Sequence, residues 1–288
     1  MVSRGWRAWI YVGPAVAVLL LFLVYPSIMT MVNSFRGPRA QDWVGLTNYI
    51  YAFTNPTMVT AFRNNALWVV FFTFLTVGLG LIIAVLVDRV RYERFAKSVI
   101  FLPMAISMVG ASVIWKFMYA YKPAGVSQIG LLNAAVTAFG GQPQAWLISE
   151  PWNTFAIIVV GVWIWTGFCM VVLSAALKNI PNQLLEAARI DGASEWQIFW
   201  KITLRLLGPT VAVVTTTMVV FVLKIFDFVY VMTNGNFNTE VIANRMYKEM
   251  FLFGNFGRAS ALAMVLFILV APMMVINIRR FRRQREIR

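Results

Sequence analysis

Glu186-Ala187-Ala188-Arg189-Ile190-Asp191-Gly192-Ala193-Ser194-Glu195-Trp196 is a charged, glycine-centred stretch set between two long apolar runs. Pro181, just upstream, suits the first turn of a helix. Leu184, Leu185, Ala188 and Ile190 supply that helix with an apolar side. Gly192 falls where a helix ends in a left-handed cap. Ser194 and Gln197 have the capping-box spacing that restarts a helix. Residues 179–209 therefore read as helix, sharp turn, helix. Asp191-Gly192 makes the corner, and Glu186 and Glu195 project from the two arms. The second arm, 196–207, is more apolar and is expected to lie along a membrane until Pro209 ends it. A short helix presented this way can enter a groove on a partner. An interfacial amphipathic hairpin without a partner is the alternative.

Outward from this stretch the chain is apolar. It is 60% hydrophobic and 12% charged, against about 25% charged for a soluble domain. Its mean hydropathy is +0.73. A helix needs about 20 apolar residues to cross the hydrocarbon. Six segments have them: 9–32, 66–87, 98–120, 154–177, 211–232 and 259–278. Backbone groups in lipid must be satisfied within the chain, and these runs lack the alternation of barrel strands. The fold class is therefore all-α, a membrane protein with six transmembrane helices. The chain divides into an N-terminal span and outer loop over 1–65, a transmembrane core over 66–278 and a basic tail over 279–288.

Lysine and arginine set the orientation. With the N-terminus inside, the inner segments hold Arg4, Arg7, Arg89, Arg91, Arg94, Lys97, Lys178, Arg189, Lys201, Arg205 and the arginines of 279–288. The outer loops hold only Arg36, Arg39, Arg63, Lys122, Arg245, Lys248 and Arg258. The positive-inside bias puts both termini in the cytoplasm. It also accounts for the net charge of +14. The basic tail directly follows a span, so it reads as a topology anchor or an anionic-lipid contact rather than a nucleic-acid site. The first span is longer than a signal-peptide core and no small-residue cleavage site follows it, so it is expected to be retained.

Several chemistries are excluded. The single Cys169 lies inside a span, so there is no disulfide framework. The chain has no histidine, which removes histidine-based metal sites, triads and proton relays. No glycine-rich phosphate loop with lysine occurs, so the chain does not hydrolyse ATP by itself. No catalytic or metal-ligating residue is expected. Of the outer loops, 34–65 mixes turn residues with Trp43, Tyr49, Tyr51 and Phe53, and is expected to be ordered across the outer mouth. Residues 129–139 form an amphipathic stretch, either an interfacial helix or a plain connector.

The hairpin also carries a resemblance. Glu186-Ala187-Ala188, Gly192 four residues on, and Ile202-Thr203-Leu204 after nine more resemble the EAA loop of ATP-binding cassette (ABC) importer permeases. Its place before the last two spans matches too. Arg205 stands where that pattern usually has proline, which lets the second arm run straighter. Phe226-Asp227-Phe228-Val229-Tyr230-Val231-Met232-Thr233-Asn234-Gly235 is similar to the end of the fifth span in carbohydrate permeases. That family often continues Gly-Gly-Pro, where this chain has Gly235-Asn236-Phe237. The segments Asn244-Arg245-Met246-Tyr247-Lys248-Glu249-Met250-Phe251 and Asn255-Phe256-Gly257-Arg258-Ala259-Ser260-Ala261 are most similar to α-glucoside, maltose-type first permeases. The resemblance covers the whole chain. It implies a type I ABC importer permease fold in a bacterial inner membrane. It also implies that Glu186, Ala187, Ala188, Asp191, Gly192, Ala193 and Glu195 dock into a cytoplasmic ATPase. The implied partners are a second homologous permease, two ATPase subunits that bind ATP and Mg, and an extracytoplasmic sugar-binding protein.

Polar groups inside spans are weighed separately, because ionisable groups in hydrocarbon are costly. Lys116 lies about one turn from the outer end of its span and can snorkel. Lys224 and Asp227 are three apart, where one helix face would let them pair. That pair either neutralises itself or leaves Asp227 on a solute path as an acceptor for sugar hydroxyls. Phe221, Phe226, Phe228, Tyr230 and Trp165 are candidate sugar-stacking faces, or packing residues and interface anchors. Gly78, Gly80, Gly110 and Gly161 are candidate sites of close helix contact. The expected function is an ATP-driven sugar importer subunit for α-glucosides such as maltose or trehalose. An ion-coupled secondary transporter, which would need a deep carboxylate such as Asp227, and a non-transporting scaffold are the alternatives.

Overall fold

The computed structural model describes residues 5–88 and 90–286; side chains are described for 9, 11–88, 90–276 and 279. Arg4, Arg89 and Arg288 of the charge argument lie outside the described residues. So do the side chains of Arg7, Arg280, Arg282, Arg283 and Arg285. Among the described residues the structure is helical, with one isolated antiparallel bridge between Arg36 and Trp43. Contacts group the chain into two compact units, 1–59 with 245–268, and 60–244 with 269–288.

In the first unit, α1 (5–33) runs as Gly5–Leu19, widens into a π turn over Leu20–Val24, and continues as Tyr25–Asn33. Pro26 has no N–H to give, and in the turn before it Tyr25 N–H donates to Leu20 O, five residues back. The apolar stretch of α1 buries nothing inside the chain. The segment after it is ordered, as expected. Phe35 stacks on Trp43, and buried Asn48, on α2 (Thr47–Thr54), donates to Ser34 O and Arg36 O at 3.0 and 2.8 Å. A loop backbone next to apolar surface must place its carbonyls somewhere, and one amide side chain holds two of them. Gly257 passes so close to this loop that a Cβ there would meet Asn48 Nδ2 at 2.8 Å.

The second unit holds most of the core. Its centre is the packing of α3 (Pro56–Val87) against α7 (Trp152–Lys178). Glycine permits this approach: a Cβ on Gly80 would lie 2.6 Å from Cys169 Cβ, and one on Gly161 would lie 3.1 Å from both Phe72 and Trp68 rings. Gly78 and Gly110, also expected at helix contacts, do not serve there. Gly78 has nothing within 4 Å, and Gly110 meets only its own turn at Ser107 and Ile106. The 32 residues of α3 make a rod of about 48 Å, well beyond the roughly 30 Å of hydrocarbon. Its polar start, 56–65, lies ahead of the apolar run.

Two expected spans are corrected. The run 98–120 is not one straight helix: α4 (Glu93–Ala105) and α5 (Met108–Met118) meet at a 95° bend. Pro103 tightens the end of α4 into a 3₁₀ turn, Ile106 is extended, and Ser107 caps α5 by accepting from Gly110 N–H. Gly167 of α7 lets α4 approach it; a Cβ there would stand 2.5 Å from Ile100 O. The run 211–232 is also broken. The helix α9 (Glu195–Leu223) starts in the hairpin and stops at Leu223, and α10 (Asp227–Met232) is separate. Pro209 does not end the second arm. It sits inside α9, downstream of a π turn over Phe199–Thr203, and its one missing hydrogen bond is tolerated in an apolar helix packed through buried Leu207. Arg205 in place of proline leaves that arm helical throughout.

The remaining helices are α6 (Leu131–Ala138), α8 (Asn182–Ile190), α11 (Ile242–Phe251) and α12 (Phe256–Glu286). Within 129–139 the helix is α6, and its buried Asn133 bonds Ala120 O, Gln144 N and O, and Trp146 Nε1. Among the described residues, five helices are long and apolar enough to cross a membrane, or six with α4 and α5 as one broken span.

Candidate functional site

The hairpin is built almost wholly by local chemistry. Pro181 stands at the cap of α8 rather than in its first turn. At the other end Gly192 has φ +82°. Its N–H donates to Arg189 O at 3.0 Å, and Ala193 N–H donates to Ala188 O at 3.0 Å. These two bonds are the Schellman pattern, which satisfies the last carbonyls of α8. Two residues later Ser194 Oγ accepts from Gln197 N–H at 3.3 Å while Gln197 Oε1 accepts from Ser194 N–H at 2.9 Å. This reciprocal pair is the expected capping box.

Sequence reading missed the lock across the corner. Arg189 Nε donates to Glu195 Oε1 at 2.7 Å, and its second nitrogen reaches Oε2 at 3.5 Å. A guanidinium facing a carboxylate side-on favours one direction as well as one distance, so the pair adds to the angle that the two caps set. The hydrogen bond to Glu195, with Glu186 adding charge, raises the Arg189 pKa further. The signal in the sequence was a basic and an acidic residue flanking Gly192.

The apolar side of α8 is split. Ala188 is buried with Ile198, and Leu185 lines the space behind. Leu184 points out, and Ile190 is 86% exposed beside the corner. Glu186, Ala187, Asp191 and Gly192 are exposed too, and Ala193 is half-buried. The exposed surface of the hairpin thus carries Leu184, Ile190 and Trp196 among Glu186, Asp191 and the Arg189–Glu195 pair. Behind it lies a cavity of about 580 Å³, with Asp88, Glu93, Lys178, Arg189 and Glu195 among its polar lining.

Of the candidate solute-path residues, Trp165, Phe221 and Phe228 belong to one apolar cluster. Trp165 packs on Phe221 with ring centroids 4.3 Å apart, and Phe226 stacks on Tyr230 at 5.0 Å. Phe228 is fully buried against Trp68; it is a core residue here, not a lining one. Lys224 and Asp227 do not share a helix face, because α9 stops at Leu223 and α10 starts only at Asp227; Lys224 is exposed and Asp227 half-buried. No ion pair joins them among the described residues. Lys116 instead donates to Val231 O at 3.3 Å. Beyond α10 the chain makes a tight polar knot that sequence reading did not anticipate. Asn64 Nδ2 donates to Asn238 O and Glu240 O at 2.6 and 2.8 Å, and Asn153 Nδ2 to Phe237 O at 2.6 Å.

Comparison with known proteins adds to this geometry. Residues 76–285 match the family described as "Binding-protein-dependent transport system inner membrane component". The chain is 58% identical to the osmoprotective compounds uptake permease protein GgtC of Synechocystis, over 96% of this chain and all of that one. It is 48% identical to the alpha-glucoside transport system permease protein AglF of Rhizobium meliloti, over 98% of this chain and 84% of that one. Among solved structures, a chain of a bacterial ABC transporter that imports the acidic polysaccharide alginate superposes with TM-score 0.81. Identity there is 22%, over 96% of each chain.

Proposed function

Because the chain belongs to the family of inner membrane components of binding-protein-dependent transport systems, we propose that it is the first-type permease of an ATP-driven sugar importer. It is a non-catalytic, multi-pass membrane subunit with the fold of an ABC importer permease. The proposed solutes are α-glucosides such as maltose or trehalose. The name of the Rhizobium relative, an alpha-glucoside permease, supports a glucoside solute.

The observation that carries the reading is the locked hairpin. Glu186, Ala187, Ala188, Asp191, Gly192, Ala193 and Glu195 lie on a short helix and its corner, stiffened by the Schellman bonds, the capping box and the Arg189–Glu195 pair. Both termini and this hairpin face the cytoplasm in our reading. A cytoplasmic ATPase subunit, holding ATP and Mg, takes the exposed Ile190 face into its groove. A second homologous permease, a second ATPase subunit and an extracytoplasmic sugar-binding protein complete the importer. Since α9 is continuous from Glu195 to Leu223, movement of the corner passes straight into a span, which suits a rigid two-state lever. Asp227, Phe226, Tyr230, Trp165 and Lys224 remain the proposed solute-path residues.

The test is ATP hydrolysis by the complete complex, reconstituted with each sugar in turn and with Glu186→Lys beside the wild type. Stimulation by an α-glucoside, lost in the variant, is expected. Uptake that ignores ATP would point to an ion-coupled carrier instead.

A further inference from the structure

We propose that Glu93 is a positioning residue that ties the hairpin's root to the bent span α4, a role that rests on the docking function proposed above. Lys178 is the last residue of α7, three residues before the Pro181 cap of α8. Its ammonium lies 2.5 Å from Glu93 Oε1 and 3.9 Å from Asp88 Oδ1. Glu93 opens α4. The same Glu93 oxygen also pairs with Lys97, and Lys97 donates to Ser174 of α7. One carboxylate therefore joins the ends of two helices exactly at the hairpin's entrance, with Asp88, just past α3, alongside.

The cavity explains why this link matters. Beside the buried Ala188 and Ile198, α8 backs onto about 580 Å³ of space, walled by Asp88, Glu93, Lys178, Arg189 and Glu195 together with apolar residues such as Leu177 and Leu185. The ion pairs on its wall join α4 to the last residue of α7, where the hairpin begins. Two routes leave the hairpin. One is the continuous helix α9. The other is Lys178 to Glu93 and into α4, which is held against α7 where Gly167 meets Ile100. The second route lets a single displacement move two spans together. Without it, the link 179–181 absorbs the motion.

The experiment uses the complete reconstituted importer and compares wild type, Glu93→Gln, Lys178→Gln, the double variant and Lys178→Arg. The readout is sugar transported per ATP hydrolysed. Partly exposed ion pairs add little to stability, so assembly is expected to be unchanged, checked by retention of the ATPase subunit. Each single glutamine variant is expected to lower the ratio about fivefold or more, the lower bound of a typical coupling between sites. The double variant is expected to be no worse than either single, and Lys178→Arg to stay near wild type. A wild-type ratio in Glu93→Gln, or additive losses in the double variant, would overturn the proposal while leaving ATPase docking intact. A wild-type complex with no ATP-driven uptake would overturn the docking reading, and this proposal with it.

Discussion

Replacing Gly192 separates backbone strain from steric fit at the hairpin corner. Its φ is +82°, and a Cβ added there would have no atom of the chain within 4 Å. The cost of Gly192→Ala is therefore conformational. A left-handed L-residue costs about 1–2 kcal/mol, a factor of about 5–30 in an equilibrium. Asparagine reaches that region more readily than alanine, although its side chain is larger. Proline is worst, because its φ is locked near −65° and the Gly192 N–H bond to Arg189 O is lost. Sugar-stimulated ATP hydrolysis in the reconstituted importer should thus fall in the order Gly, Asn, Ala, Pro. Alanine should lie about 5–30-fold below wild type, with asparagine between them. If the ATPase surface simply pressed on the corner, the larger asparagine would be worse than alanine. Asparagine below alanine therefore refutes the strain argument, and a fully active Gly192→Pro refutes the lever itself.

Other perturbations probe the fold around it. Gly167→Ala and Gly80→Ala each force a Cβ to within 2.6 Å of a neighbouring helix and should destabilise by about 1–3 kcal/mol. Gly78→Ala, with open space around it, should leave the melting temperature in detergent unchanged; equal losses at all three would contradict the packing account. Asn64→Ala strips the donor from two carbonyls, Asn238 O and Glu240 O, at about 1–3 kcal/mol for each carbonyl left buried. A melting temperature equal to wild type would mean that the knot beyond α10 is not held by this amide. Tyr51 titrates above its ordinary value of 10.0, chiefly through burial and then through its hydrogen bond to Glu249. A raised pKa favours the neutral phenol in the folded state, so its contribution is complete below pH 10 and is lost as pH rises beyond that. Thermal melts of Tyr51→Phe should lack this alkaline component, and identical pH profiles would exclude it.

The hairpin was legible because its determinants are local. Gly192 at a left-handed cap and the Ser194–Gln197 box each act within five residues, and no tertiary context overrides them. The apolar runs were legible because hydrocarbon thickness sets a length that sequence alone can meet. Failures came where a choice depended on neighbours. Pro209 reads as a stop, yet α9 passes through it because packing and an apolar setting tolerate one missing bond. The 98–120 run reads as one helix, yet Pro103 and the Ser107 cap divide it at 95°. Lys224 and Asp227 read as a pair only on the assumption of an unbroken helix.

By itself, the sequence determined an all-helical membrane chain and the hairpin with its corner at Asp191-Gly192. Composition and short-range capping decide these, and both are complete in the linear order of residues. Tertiary structure alone decided which glycines are crossing points, which aromatics are core, and what backs the hairpin. Gly167 and Gly78 look alike in sequence, but only one faces another backbone. Phe228 and Tyr230 are two residues apart, but one is fully buried and the other 38% exposed. The cavity behind α8 and the Glu93–Lys178 link join residues 85 positions apart. Such pairings depend on how helices approach one another, which is set by the fit of whole surfaces rather than by any local pattern.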